Sequence, residues 1–158
     1  NFFIQIITNI GGTSADMGNA VFVAAMLELP TMAFFTKMSE KINCGTLIKF
    51  SILMFVVKHA LTYFATNMIM IYLAQVCQMF AYALFVPASV YYVNKKIAVA
   101  DRVKGQSLVT TSMTLSGVFA NFAGGIMLDA LGVGHVLLAG VVLSIVGAVI
   151  VILMTEKV

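Results

Sequence analysis

The stretch HVLLAGVVLSIVGAVIVILM, residues 135–154, decides the fold of this chain. It runs for 20 residues without an aspartate, glutamate, lysine or arginine. A helix rises by about 1.5 Å per residue, so a helix of this length crosses the roughly 30 Å hydrocarbon core of a bilayer. We therefore predict that this segment is a transmembrane helix.

Four more apolar blocks of similar length precede it, near residues 19–36, 48–66, 69–93 and 107–128. The chain of 158 residues is 61% hydrophobic and 9% charged, with a mean hydropathy of +1.05. A soluble domain needs a larger share of polar side chains to cover its surface. A membrane barrel would show segments of about ten residues with alternating hydropathy, a pattern that the sequence lacks. The sequence therefore predicts an all-α, polytopic integral membrane helix bundle.

The opening segment NFFIQIITNI, residues 1–10, is long enough for about half a span. It has no initiator methionine and no basic segment, so it does not resemble a signal peptide. We interpret it as the end of a span whose beginning is missing. The alternative is an interfacial helix at a true N-terminus.

Basic residues occur in every second connection, and this alternation predicts the orientation of the bundle. The connections 37–48 and 94–106 and the tail are basic, whereas 10–18, 67–68 and 129–134 contain no lysine or arginine. By the positive-inside rule, the basic connections and the C-terminus face the cytoplasm. Because no recognition motif accompanies these basic residues, we expect no binding of nucleic acid. The basic residues assigned to the cytoplasmic side are Lys37, Lys41, Lys49, Lys95, Lys96, Arg102, Lys104 and Lys157.

Two ionisable side chains lie inside apolar spans and are candidates for a functional site. Glu28 lies about midway along 19–36 and Lys58 about midway along 48–66, so both are predicted near the bilayer midplane. Each costs on the order of 2.5–3.5 kcal/mol on insertion scales, unless it faces a polar cavity or a partner. A functional pair that lines a water-filled cavity and a purely structural ion pair are both compatible with this pattern. The neighbouring His59 points about 100° away from Lys58, and we interpret it as packing at a helix interface.

Neutral polar side chains mark two further spans. Gln75 and Gln78 are three residues apart and therefore share one helix face, which Tyr82 continues. Their amide and phenol groups suit a hydroxyl-rich ligand, and they suit hydrogen bonds to neighbouring helices equally well. Asn121 belongs to a polar stripe of the span 107–128, for which we expect a wet or substrate-lined cavity or helix–helix hydrogen bonds.

The sequence contains no nucleophile elbow, phosphate-binding loop or metal-ligand spacing. We therefore expect no enzymatic activity, and we predict no catalytic residue, no metal site and no cofactor.

The order of the spans, loops and midplane residues resembles the C-terminal half of a major facilitator superfamily transporter. The pattern is most similar to the oligosaccharide–proton symporter branch, which includes lactose permease. The segments that carry the resemblance are MGNAVFVAAMLELPTMAFF (17–35), VVKHALTYFATN (56–67), AQVCQMFAYALFVP (74–87) and GGIMLDALGVGHVLLAG (124–140). They resemble the eighth, ninth and tenth helices and the junction of the last two.

This resemblance implies six helices in each half, arranged as inverted three-helix repeats, with the binding site between the halves near the midplane. It implies that the first helix of this half is only partly present and that the N-terminal half is absent. Glu28 matches the branch's sugar-binding glutamate, and Lys58 stands where the permease has an arginine. The branch's proton-coupling lysine, histidine and glutamate are replaced by Gln75, Gln78 and Ala81. If transport is coupled to protons, Glu28 or a residue of the missing half is expected to take the proton.

We therefore expect a multi-pass secondary active transporter of the cytoplasmic membrane, from a bacterium. It would move a sugar or similar small polar solute by alternating access, coupled to protons. Its expected partners are the lipid bilayer, the solute, protons and the missing N-terminal half. The alternatives are a drug or metabolite exporter of the same superfamily, and a non-transporting membrane scaffold or sensor with the same fold.

Overall fold

Six α-helices make up most of the chain in the computed structural model, which describes residues 2–156. The described part contains no β-strand, so the all-α prediction is confirmed. Helices α2 to α6 are each long and apolar enough to cross a membrane, which confirms a transmembrane helix bundle. A 3-10 turn, Val99–Asp101, separates α4 from α5. The helices are α1 (Phe3–Asn9), α2 (Ser14–Lys41), α3 (Cys44–Tyr63), α4 (Met68–Lys96), α5 (Arg102–Leu131) and α6 (Val133–Met154).

Most helices extend past the apolar runs that predicted them, and the connections between them are short. Helix α2 has 28 residues and is therefore about 42 Å long, more than the roughly 30 Å of hydrocarbon that it has to cross. Only Ile42 and Asn43 separate α2 from α3. As a result, Lys41 and Lys95 lie in the last turns of helices, although the sequence placed them in loops. Lys157 lies outside the described residues.

Helix α3 is the exception, because it ends at Tyr63 and not near residue 66 as predicted. The last residues of the apolar run form a turn, and the side chain of Asn67 then accepts a hydrogen bond from the backbone N–H of Met70 at 3.1 Å. This contact caps the start of α4. Lys58 lies five residues from the end of α3, nearer to that end than its position about midway along the run 48–66 suggested, and its depth in the membrane stays a prediction.

Two local signals determine the ends of helices on the other side of the bundle from Lys41. A capping box begins α2: the Asp16 carboxylate accepts from the Thr13 backbone N–H at 2.8 Å, and the Thr13 hydroxyl accepts from the Asp16 N–H. Gly132 alone connects α5 to α6, with φ at +81°. Because that conformation strains residues with a Cβ, glycine is the residue that allows so tight a connection.

The core of the bundle lies where α2, α3 and α4 pack together, and α6 covers α3. Helix α5 touches the rest of the bundle along α6 and one end of α4, so most of its side chains are exposed. Phe119 and Phe122 on α5 are 65% and 71% exposed, as expected for side chains that face lipid or another part of a larger protein. The buried core residues are Phe35, Leu47, Ile48, Leu84 and Ala88.

Polar contacts join the helices at the basic end of the bundle. Lys96 at the end of α4 forms an ion pair with Glu156, which follows α6, and the Glu156 backbone N–H donates to the Tyr92 hydroxyl at 3.3 Å. The hydrogen bond from Lys96 lowers the pKa of the Glu156 carboxyl below its ordinary value. Gln106 on α5 donates to the Asn94 side chain of α4 at 2.8 Å. These contacts hold the ends of α4, α5 and the segment after α6 together.

Candidate functional site

A cavity of about 530 Å³ lies among α1, α2, α3, α4 and α6. Polar side chains from α2, α3 and α4 line it, together with apolar residues of α1 and α6 such as Phe3 and Val136. A concave, mostly apolar cavity with a few convergent polar groups is the usual form of a small-molecule site. The cavity is therefore the candidate functional site.

Helix α4 brings Gln75 and Gln78 to this cavity. They lie on one helix face because a spacing of three residues turns an α-helix by nearly a full revolution. Gln75 is only 8% exposed and Gln78 is half-buried. Each amide offers one acceptor oxygen and two donor protons to a ligand.

Lys58 on α3 reaches the same cavity, and its hydrogen-bond partner there is Gln78. The Lys58 ammonium donates to the Gln78 Oε1 at 2.5 Å. A hydrogen bond in which the donor is charged is stronger than a neutral one. This contact explains how an apolar run of α3 accommodates a lysine, and it joins α3 to α4 across the cavity wall.

Glu28 on α2 lines the cavity as well, but it does not form an ion pair with Lys58. The ion pairs of residues 2–156 are Lys96 with Glu156 and Lys104 with Asp101. The sequence interpretation in which Lys58 pairs with Glu28 therefore does not describe this conformation. Lys58 lies near the end of α3, which ends at Tyr63, and its ammonium donates a hydrogen bond to Gln78 of the adjacent α4.

His59 also lines the cavity, although the sequence favoured an interface role for it. The ring does pack between helices: it stacks on Phe55, with centroids 6.3 Å apart, and a Cβ at Gly140 of α6 would lie 4.0 Å from its Cδ2. A Cβ at that distance would be in ordinary van der Waals contact, so the ring packs close to the α6 backbone at Gly140. A helical projection of α3 contained the missing signal, because Lys58, Thr62 and His59 fall within an arc of about 100°.

Asn121 is not among the residues that line this cavity. It is exposed on α5, and its amide donates to the Gly117 carbonyl one turn earlier at 2.7 Å. Helix α5 contacts α6 and α4 and does not form a wall of the cavity. Of the five residues singled out from the sequence, the structure brings Glu28, Lys58, Gln75 and Gln78 together.

A second cavity of about 530 Å³ lies between α4 and α5. Tyr82 belongs to its lining, so the α4 face that carries Gln75 and Gln78 continues from one cavity to the other. Thr110 and Thr114 of α5 supply hydroxyl groups. None of its described lining residues is acidic, basic or histidine, in contrast to those of the first cavity.

The described residues contain no cluster of three or more histidine, cysteine, aspartate or glutamate side chains placed to hold a metal ion. The polar groups that line the first cavity are two amides, an ammonium, a carboxylate, an imidazole and the Thr62 hydroxyl.

Comparison with known proteins gives two findings. The family model of the Major Facilitator Superfamily matches residues 1–158. A protein of Deinococcus radiodurans named "Putative sugar efflux transporter" is 30% identical over 123 residues, which cover 75% of this chain and 31% of that protein. The match thus extends over about a third of the length of this relative. No solved structure matches the chain significantly.

Proposed function

Because this chain belongs to the Major Facilitator Superfamily, we propose that it is part of a secondary transporter that moves a sugar or a similar small polar solute across the membrane. The observation that carries the proposal is the single cavity in which Glu28, Lys58, Gln75 and Gln78 converge from three helices. We propose these four residues, without Asn121, as the solute-binding set. The ordered resemblance of the spans supports a position in the C-terminal half of the full protein.

The donors and acceptors of the cavity complement a polyhydroxyl solute. Each hydroxyl of a sugar both donates and accepts hydrogen bonds, and the two amides can do the same. The Lys58 ammonium only donates and the Glu28 carboxylate only accepts, which orients neighbouring hydroxyls. The name of the Deinococcus relative supports a sugar as the solute and efflux as the direction.

Transport would follow from alternating access, in which the site opens to one side of the membrane at a time. The Lys58–Gln78 hydrogen bond belongs to one such state. Transfer of the ammonium from Gln78 to Glu28 would free the Gln78 oxygen and engage the carboxylate, and so change which acceptors the solute can use. We place the protein in the cytoplasmic membrane of a bacterium, with its basic end and C-terminus in the cytoplasm.

Transport by the full-length protein in proteoliposomes tests this proposal. Labelled mono- and disaccharides are offered in uptake and efflux directions, with and without an imposed proton gradient. We expect movement of at least one sugar, and a transport rate at least tenfold lower in Glu28→Gln. This substitution removes the only carboxylate that lines the cavity among residues 2–156. Glu40→Gln is the matched control, because Glu40 is exposed near the basic end of the same helix.

Two results would contradict the proposal. Expulsion of hydrophobic cations without movement or competition by any sugar would indicate a drug exporter of the same superfamily. Binding of a sugar without movement in either direction would indicate a sensor that keeps the fold.

A further inference from the structure

The first cavity contains three titratable side chains, of which the sequence had assigned only two to a polar site. They are Glu28, Lys58 and His59, the last of which lies on α3. Histidine is the side chain whose unperturbed titration lies at physiological pH, so the cavity contains a group suited to bind and release a proton under ordinary conditions.

The imidazole of His59 is packed without being fully hydrogen bonded. Its Nδ1 atom is buried and makes no well-formed hydrogen bond within residues 2–156, although the Phe55 carbonyl lies one helical turn earlier. A buried ring nitrogen without a good partner is unfavourable, which is unusual for a purely structural residue. A role in which the ring gains and loses a proton gives a reason for its position.

The charged groups around His59 come from two helices. Glu28 of α2 lines the same cavity, and Lys58 directly precedes His59 on α3. On α4 the lining groups are the two neutral amides, and the Cys77 thiol lies near Lys58. The described residues of α1 and α6 that line the cavity are apolar, and the exposed His135 of α6 bonds to the Leu131 carbonyl instead.

We propose that His59 is the proton-binding residue that couples solute movement to the proton gradient, an inference that rests on the proposed transport function. The imidazole takes a proton from water on one side of the membrane and becomes an imidazolium. It returns the same proton to water on the other side, and only an N–H bond is made and broken. A residue of α3 would then carry the proton, whereas the resemblance suggested Glu28 or a residue of the missing half.

The position of Lys58 controls how stable the imidazolium is. The Lys58 ammonium is the neighbouring charge on α3, and a like charge disfavours the imidazolium of His59. When Lys58 moves to Glu28, the two charges compensate each other and this repulsion weakens. Solute binding, which competes for Glu28, Lys58 and Gln78, is thereby linked to the proton on His59.

The experiment compares two transport modes of the full-length protein in proteoliposomes. Exchange of labelled for unlabelled sugar needs no proton gradient, whereas accumulation against a sugar gradient does. We expect His59→Gln and His59→Asn to continue exchange at a reduced rate and to lose accumulation, so that the internal sugar concentration never exceeds the external one. His135→Gln, which removes the other histidine of this chain, should accumulate sugar as the unaltered protein does.

A third measurement uses the unaltered protein, because a variant can fail to fold. Proton exchange on sugar binding is measured by calorimetry in buffers of different ionisation enthalpy over a series of pH values, and the number of protons exchanged should depend on pH. Accumulation by His59→Gln at the level of the unaltered protein would overturn the proposal. So would loss of exchange in both folded His59 variants, or no proton exchange on binding. An unaltered protein that moves no sugar would refute the proposed function itself, and this inference with it.

Discussion

Removal of the Gln78 side-chain amide should destabilise the bundle through Lys58. Gln78→Leu keeps a similar side-chain volume and deletes the oxygen that accepts from the Lys58 ammonium at 2.5 Å. Hydrogen bonds to charged groups contribute about 1.5–3 kcal/mol. The adjoining cavity of about 530 Å³ has room for on the order of ten waters of about 30 Å³ each, which can solvate the ammonium in the variant. We therefore expect the lower end, about 1.5 kcal/mol.

A double-mutant cycle isolates this contribution. The free energy of unfolding of the full-length protein is measured in mixed micelles by titration with dodecyl sulfate. Far-ultraviolet circular dichroism is the readout, because the described residues are mostly helical. The variants are Gln78→Leu, Lys58→Met and their combination, and the expected coupling energy is about 1.5 kcal/mol. Gln75→Leu is the matched control: Gln75 lines the same cavity, and its coupling to Lys58 should stay below about 0.5 kcal/mol.

Two outcomes would refute this reasoning. Additive losses for Lys58 and Gln78 would show that their hydrogen bond is absent from the resting protein. A larger coupling of Lys58 to Glu28 than to Gln78 would show that the resting state contains the ion pair suggested by the sequence.

Three further predictions concern packing, acid stability and topology. Gly105→Ala should lower the free energy of unfolding by about 1–3 kcal/mol, because the new Cβ would lie 2.9 Å from a valine methyl carbon on α4. A Cβ at Gly134 would have no neighbour within 4 Å, so the control Gly134→Ala should change the free energy of unfolding by less than about 0.5 kcal/mol. The interaction with Lys96 lowers the pKa of Glu156 and stabilises the fold at pH values above 4.5, the ordinary pKa of this carboxyl. This contribution is lost as the pH falls through the lowered pKa. Unfolding curves between about pH 3 and 6 should therefore show less acid destabilisation in Glu156→Gln than in the unaltered protein, and equal slopes would contradict the ion pair. A membrane-impermeant maleimide added to intact cells should label Ala15→Cys and spare Lys95→Cys in a background from which all native cysteines, including Cys44 and Cys77, are removed, and the reverse pattern would invert the topology.

The family and the fold class were accessible from the sequence because they depend on local properties of the chain. Apolar runs of about 20 residues are spanning helices whatever lies around them, since the bilayer leaves few other ways to satisfy backbone hydrogen bonds. Polar side chains stand out against such runs, so Glu28, Lys58, Gln75 and Gln78 could be identified without a structure. The major facilitator resemblance is confirmed by the family match over residues 1–158, whereas the symporter branch stays a prediction.

The arrangement of these side chains was decided by the tertiary structure. The sequence pattern specifies which residues share a face of one helix, but not how far that helix is rotated or shifted along its axis against its neighbours. Helix α3 ends at Tyr63, and α4 brings Gln78 to Lys58 across 20 residues of sequence. His59 lies at the cavity wall close to Gly140 of α6, while the peripheral attachment of α5 keeps Asn121 outside the cavity. The rotation of each helix and its shift along its axis result from contacts between helices that are distant in sequence. The periodicity of residues within a single helix does not specify these contacts.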